Sequence, residues 1–229
     1  MSAHLIDQLR RELPVQLCSY AVAGAEIGLI LVKDGVTPGD DDGTTRLAAA
    51  AREADRLARR FVAQRLPVIA FADERPAADD EGRASLGGVA SLLPDLDWLQ
   101  DEPDATIIRK RCVNGFIAGI EAVHHGAHGT SRNRLVDWVN AHRLRALLCG
   151  GVSTDGGVLE LVLSLASARQ HGLMTTLRDL VVVERASAAL PPWPETASRA
   201  AIRLAGSHQL ALHLMSQRGA ILAGELTGL

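Results

Sequence analysis

The chain has 229 residues, 47% of them hydrophobic and only 3% aromatic, and a formal net charge of −3. That length suits one sizeable domain whose core is built from Leu, Val, Ile and Ala. The charge provides no basic footprint for nucleic acid or an anionic membrane, and no run approaches the roughly 20 apolar residues of a membrane span.

The N-terminus has Arg10, Arg11 and Glu12 where a signal peptide needs an apolar run. Cys18, Cys112 and Cys149 have neither metal-ligand nor disulfide spacing. Both features fit a protein of the reducing cytoplasm. Residues 1–26 are read as an N-terminal extension of a single domain over 1–229.

In chain order, Ile27 to Val32 reads as a buried strand. Thr44 to Gln64 follows as a helix, with Leu47, Ala50, Ala54, Leu57, Ala58 and Phe61 at helical spacing. Pro67 to Ala72 and Ala105 to Ile108 are the next strands. Residues 117–132 form a Gly/His-rich loop insertion carrying His124, His125 and His128. Asn133 to His142 is a helix with Leu135, Trp138 and Val139 on one face. Arg145 to Cys149 is a strand, and Asp155 to His171 a helix buried on more than one face. Leu173 to Val183 contains a strand at its Val-rich end. Thr196 to Arg218 is a long helix, and Ala220 to Ala223 a short last strand.

Strands that alternate with helices and are apolar on both faces predict an α/β fold: three α/β/α layers around a mostly parallel, Rossmann-like sheet. Ligands of such sheets bind at the carboxyl ends of the strands. That rule points to Asp34, Asp73, Lys110 and Gly150 to Gly157. Asp34 beside an apolar core suits proton transfer, but Gly35 after it equally suits a turn. Lys110 can hold a carboxylate, or belong to a solvated run with Arg109 and Arg111. The glycine segment offers a helix start to an anion or oxyanion, or is simply a tight turn. It is not a GxGxxG, so no dinucleotide cofactor is expected. The three histidines have metal-binding chemistry, but their spacing matches no strong pattern.

Four segments together resemble the isochorismatase-like (cysteine hydrolase) family, which includes nicotinamidases, carbamoyl-amide hydrolases and isochorismatases. Leu29 to Asp34 resembles its first strand with a catalytic aspartate. Lys110 to Phe116 resembles the catalytic-lysine segment, Gly150 to Val158 the G-V-x-T-D-x-C-V turn, and Ser207 to Ile221 the last helix and strand. The third is the most specific.

The resemblance implies that Asp34 and Lys110 are catalytic. Val152, Ser153, Gly156, Gly157 and Phe116 would line the oxyanion or substrate site, and the Val152–Ser153 bond would be cis. It departs at one decisive place: Gly157 stands where the family has its cysteine nucleophile. Without a thiolate there is no acyl-enzyme. Cys112, two residues after Lys110, reads as a buried structural thiol.

Members that lack the cysteine protonate a vinyl ether from the aspartate and add water. They usually have Tyr-Ala-His where this chain has Ser153-Thr154-Asp155. The Asp-x-His of metal-dependent nicotinamidases reads Asp73-Glu74-Arg75, so no metal is expected, and no cofactor. The expected partner is a small-molecule substrate, without nucleic acid or membrane, in a homo-oligomer. Two functions stay open: a hydrolase without a covalent intermediate, and an inactive binding or assembly subunit.

Overall fold

The computed structural model describes residues 7–8, 11–33, 44–74, 94–125, 128–189 and 197–229. Its centre is a seven-stranded parallel sheet made of β1 (Cys18–Ala21), β2 (Ile27–Lys33), β3 (Val68–Asp73), β4 (Ala105–Lys110), β7 (Ala146–Val152), β8 (Asp179–Ala188) and β9 (Ile221–Thr227). The helices are α1 (Thr44–Ala63), the single turn α2 (Gly115–Ala118), α3 (Arg134–Ala141), α4 (Leu159–Gln170) and α5 (Ala197–Gln217).

Strand alternation divides the core between two faces. Ile30, Val32, Ile69, Phe71, Leu147 and Cys149 meet α3, α4 and α5, through Leu135, Val139, Leu161, Leu165 and Met215. Leu29, Leu31, Val68, Ala70 and Leu148 meet α1 through Leu47, Ala54, Leu57 and Phe61. Phe61 is fully buried, and burial of such a side chain contributes about 1.5–3 kcal/mol. The six apolar residues picked out by helical spacing in α1 are all buried. The α/β/α layering is therefore the one the sequence predicts.

Three elements differ from expectation. Residues 120–133 are not an open loop: β5 (Ile120–His125) and β6 (His128–Asn133) form an antiparallel hairpin, registered from Ile120↔Asn133 to His125↔His128. Glu121 bridges Arg132 at 3.1 Å and Arg134 at 3.4 Å. Glycines and polar residues within 120–133 hide the period-two signal in the sequence. Cys18–Ala21, inside the expected N-terminal extension, adds a strand to the sheet edge beside β9. The helix expected from Asp155 begins as a wider π-type turn over Thr154–Val158, because Val158 N–H reaches back to Ser153 O at 3.0 Å.

The strand order is β1-β9-β8-β7-β2-β3-β4. The chain winds outward from β2 through β3 to β4, then crosses to β7 and winds the other way. The topological switch point therefore falls between β2 and β7. In open α/β sheets, ligands bind outside the carboxyl ends of the strands where winding reverses.

Candidate active site

Lys33 ends β2 in register with Val152, the last residue of β7. Asp73 and Lys110 end β3 and β4 in register with each other. All three are buried, at 6%, 7% and 0% exposure. Burying an ion costs several kcal/mol unless partners compensate, so three buried charges at neighbouring strand ends mark a built site. Burial lowers the Lys33 pKa, and the charges of Asp73 and Asp97 oppose that shift. Asp97 lies in a 3-10 segment, Pro94–Asp101. That segment is tied to α1 where Trp98 Nε1 donates to Asp55 at 2.8 Å.

Strand periodicity sorts the basic run Arg109-Lys110-Arg111. Arg109 and Arg111 are exposed and bridge Glu74 at 3.1 and 3.3 Å. Lys110 between them turns inward and donates to Cys112 O at 3.4 Å. The loop after it is held at several points. Cys112 Sγ donates to Asn114 O at 3.3 Å. Asn114 Oδ1 accepts from Phe116 N and Ile117 N at the start of α2. Asn133 Nδ2 donates to Phe116 O at 2.8 Å. Phe116 is half-buried and packs on the core beneath α3 and α4.

The glycine segment follows β7. Gly151 has φ +131°, and a Cβ there would lie 1.9 Å from Val32 O. Its glycine thus serves close approach between β7 and β2, a backbone contact rather than a ligand one. The Val152–Ser153 peptide is cis, at the bond the resemblance singled out. Gly156 N–H and Val158 N–H both donate to Ser153 O. Ser153, Thr154 and Gly157 are buried, while Asp155 and Gly156 are half-buried. The turn packs on β2, β8 and α5.

The structure thus places Val152, Ser153, Gly156 and Gly157 on one turn beside the end of β2. Lys110 ends β4 and Phe116 lies in α2, with the clamped segment 111–114 between them. Asp34 lies outside the described residues.

The chain is similar to proteins of known activity. It is 30% identical over 200 residues to nicotinamidase 1 of Arabidopsis thaliana, covering 80% of this chain and 79% of that one. The chain belongs to the isochorismatase-like hydrolase family. No family model matches it. Among solved structures, an isochorismatase family protein from Desulfovibrio vulgaris superposes with a TM-score of 0.58 at 14% identity, over 87% of this chain and 94% of that one. A nicotinamidase from Staphylococcus aureus gives 0.55 at 15%, over 87% and 99%. N-carbamoylsarcosine amidase from Thermoplasma acidophilum gives 0.53 at 16%, over 89% and 99%. At these identities the solved structures speak for the shared fold.

In this hydrolase-family chain Gly157 has no side chain to contribute to the site. Beside Asp73, the Glu74 carboxylate is held by Arg109 and Arg111. Lys33 was legible only as the end of an apolar run, and its burial depends on β7 lying beside β2. Buried Cys149 is raised to about 12 by burial, which leaves it an inert thiol.

Proposed function

We propose that the protein hydrolyses a small molecule without a covalent enzyme intermediate, with Asp34 as general acid/base and Lys110 as its electrostatic partner. The observation that carries this reading is Lys110. It is fully buried at the end of β4, in a family member whose nucleophile position is Gly157. For a vinyl ether the steps balance as follows. The Asp34 carboxylic acid protonates the vinyl carbon. Water adds to the resulting oxocarbenium carbon and returns a proton to Asp34. The C–O bond then breaks as Asp34 protonates the departing oxygen to give the alcohol, and the hydroxyl proton of the new carbonyl returns to Asp34. The Ser153–Gly157 turn binds the departing oxygen as its C–O bond breaks, or the carbonyl oxygen of an amide substrate, and Phe116 bounds the substrate.

Purified protein is assayed against isochorismate-like vinyl ethers and small amides, nicotinamide included. Asp34→Asn and Lys110→Ala are each expected to cut kcat at least about 100-fold, the lower end for a proton-transfer group. Failure to turn over any member of the panel, or an unchanged rate in Asp34→Asn, would sink the proposal.

A second reading, an inactive binding subunit, draws on Lys33. Lys33, Asp73 and Lys110 are buried at neighbouring strand ends, and the charge of Asp97 also reaches Lys33, a polar setting that suits a small charged ligand. Calorimetric binding of small carboxylates to a protein without turnover, weakened tenfold or more by Lys33→Gln, would favour it.

A further inference from the structure

The turn that carries Gly157 has no side-chain cap at Ser153. It is restrained from the side instead. His208 on α5 is buried, with Nδ1 3.1 Å from Thr154 Oγ1. Its Nε2 lies 3.5 Å from Glu184 Oε1 on β8. The same Glu184 oxygen accepts from Arg46 Nη2 of α1 at 2.8 Å. His208 first, and then Arg46, hold Glu184 below the usual carboxylate range against the opposing effect of burial.

Glu184 is therefore a carboxylate, which only accepts hydrogen bonds. Nε2 makes no hydrogen bond at that separation, so the contact with Glu184 is electrostatic, and the hydrogen bond between Nδ1 and the Thr154 hydroxyl is the one that restrains the turn. A hydroxyl, an imidazole and a carboxylate in line resemble the parts of a nucleophilic triad. The Thr154 hydroxyl is turned to His208 and is 0% exposed, which fits a contact that holds the turn. What the chain of contacts can do is hold the backbone.

We propose that His208 is a positioning residue. By locking Thr154, it fixes the backbone of residues 153–157 at the candidate site, and Glu184 and Arg46 anchor it to β8 and α1. Only the importance of that backbone for hydrolysis rests on the function proposed above.

The test is amide hydrogen exchange of the unliganded full chain, so absence of turnover leaves it unaffected. His208→Ala is expected to speed exchange across 153–158 at least tenfold, with β3 and α3 unchanged. Thr154→Val, which swaps a hydroxyl for a methyl, reproduces the effect without disturbing His208 and serves if His208→Ala does not fold. His208→Asn keeps a polar atom near the Nδ1 position and restores exchange to within threefold of the parent. Unchanged exchange at 153–158 in both His208→Ala and Thr154→Val, an equal rise across the whole sheet, or no rescue by His208→Asn would each overturn the proposal.

Discussion

Asn114 Nδ2 donates to Ser164 Oγ at 3.0 Å, joining the loop that follows Lys110 to the helix that follows the glycine turn. The same side chain caps α2 through its oxygen. The two halves of the candidate site, which come from opposite windings of the sheet, are thus connected by one amide.

The two roles of Asn114 separate by mutation. Asn114→Ala loses cap and link together and is expected to cost about 1–2 kcal/mol, a typical cap loss. Ser164→Ala loses only the link and is expected to cost about 0.5–1.5 kcal/mol. Denaturant midpoints measure both. Equal costs would mean that the cap contributes nothing.

Gly157→Cys places a thiol at the position that, by resemblance of the turn, matches the family's cysteine. With nicotinamide or another small amide, mass spectrometry of quenched reactions is expected to show an acyl-enzyme, and amide hydrolysis should rise at least tenfold over the parent. Gly157→Ala, which adds bulk without a thiol, should show neither. A cysteine variant that never acylates would mean that the surrounding groups no longer support thiolate attack.

Tyr20 is the only tyrosine, so its ionisation is readable from phenolate absorbance alone. Burial, then its hydrogen bond to Asp179, raise it from 10.0 to about 12. The Tyr20 hydroxyl donates to Asp179 Oδ2 at 2.9 Å. The folded state favours the neutral phenol, so this contribution to stability is complete below pH 10. It is lost as pH rises from 10 toward about 12. Asp179→Asn should move the absorbance midpoint downward, toward the value of a free tyrosine. A parent midpoint near pH 10 would refute the contact.

Two glycines with positive φ should respond differently. Gly151→Ala drives a Cβ into the Val32 backbone carbonyl and is expected to cost at least about 3 kcal/mol, in the range of severe core disruption. Gly172 has φ +84° with nothing within 4 Å, so Gly172→Ala pays backbone strain alone, roughly 1–2 kcal/mol. Thermal melts of both variants decide. A mild Gly151→Ala would mean that β7 and β2 can separate at the switch point.

Much of this protein is written locally. Runs such as Ile27–Val32 are apolar at every position, because a parallel strand covered on both faces has no wet side. The spacing of Leu47, Ala54, Leu57 and Phe61 specifies which face of α1 is buried, because a helix returns to the same face every 3.6 residues. The turn around Gly157 is legible as a resemblance to a family motif.

Other features were decided by tertiary structure. Whether Lys110 or its arginine neighbours face inward depends on where β4 lies in the sheet. Lys33 is buried because β7, more than a hundred residues later in the chain, pairs with β2. The hairpin over 120–133 is a pairing between strands too polar to announce themselves. Thr154 and His208 are 54 residues apart in sequence, and no periodicity records that α5 returns across the turn. Local sequence determines which segments form strands and helices. Only the packed fold determines which charges lose their water and which side chains hold the site in place.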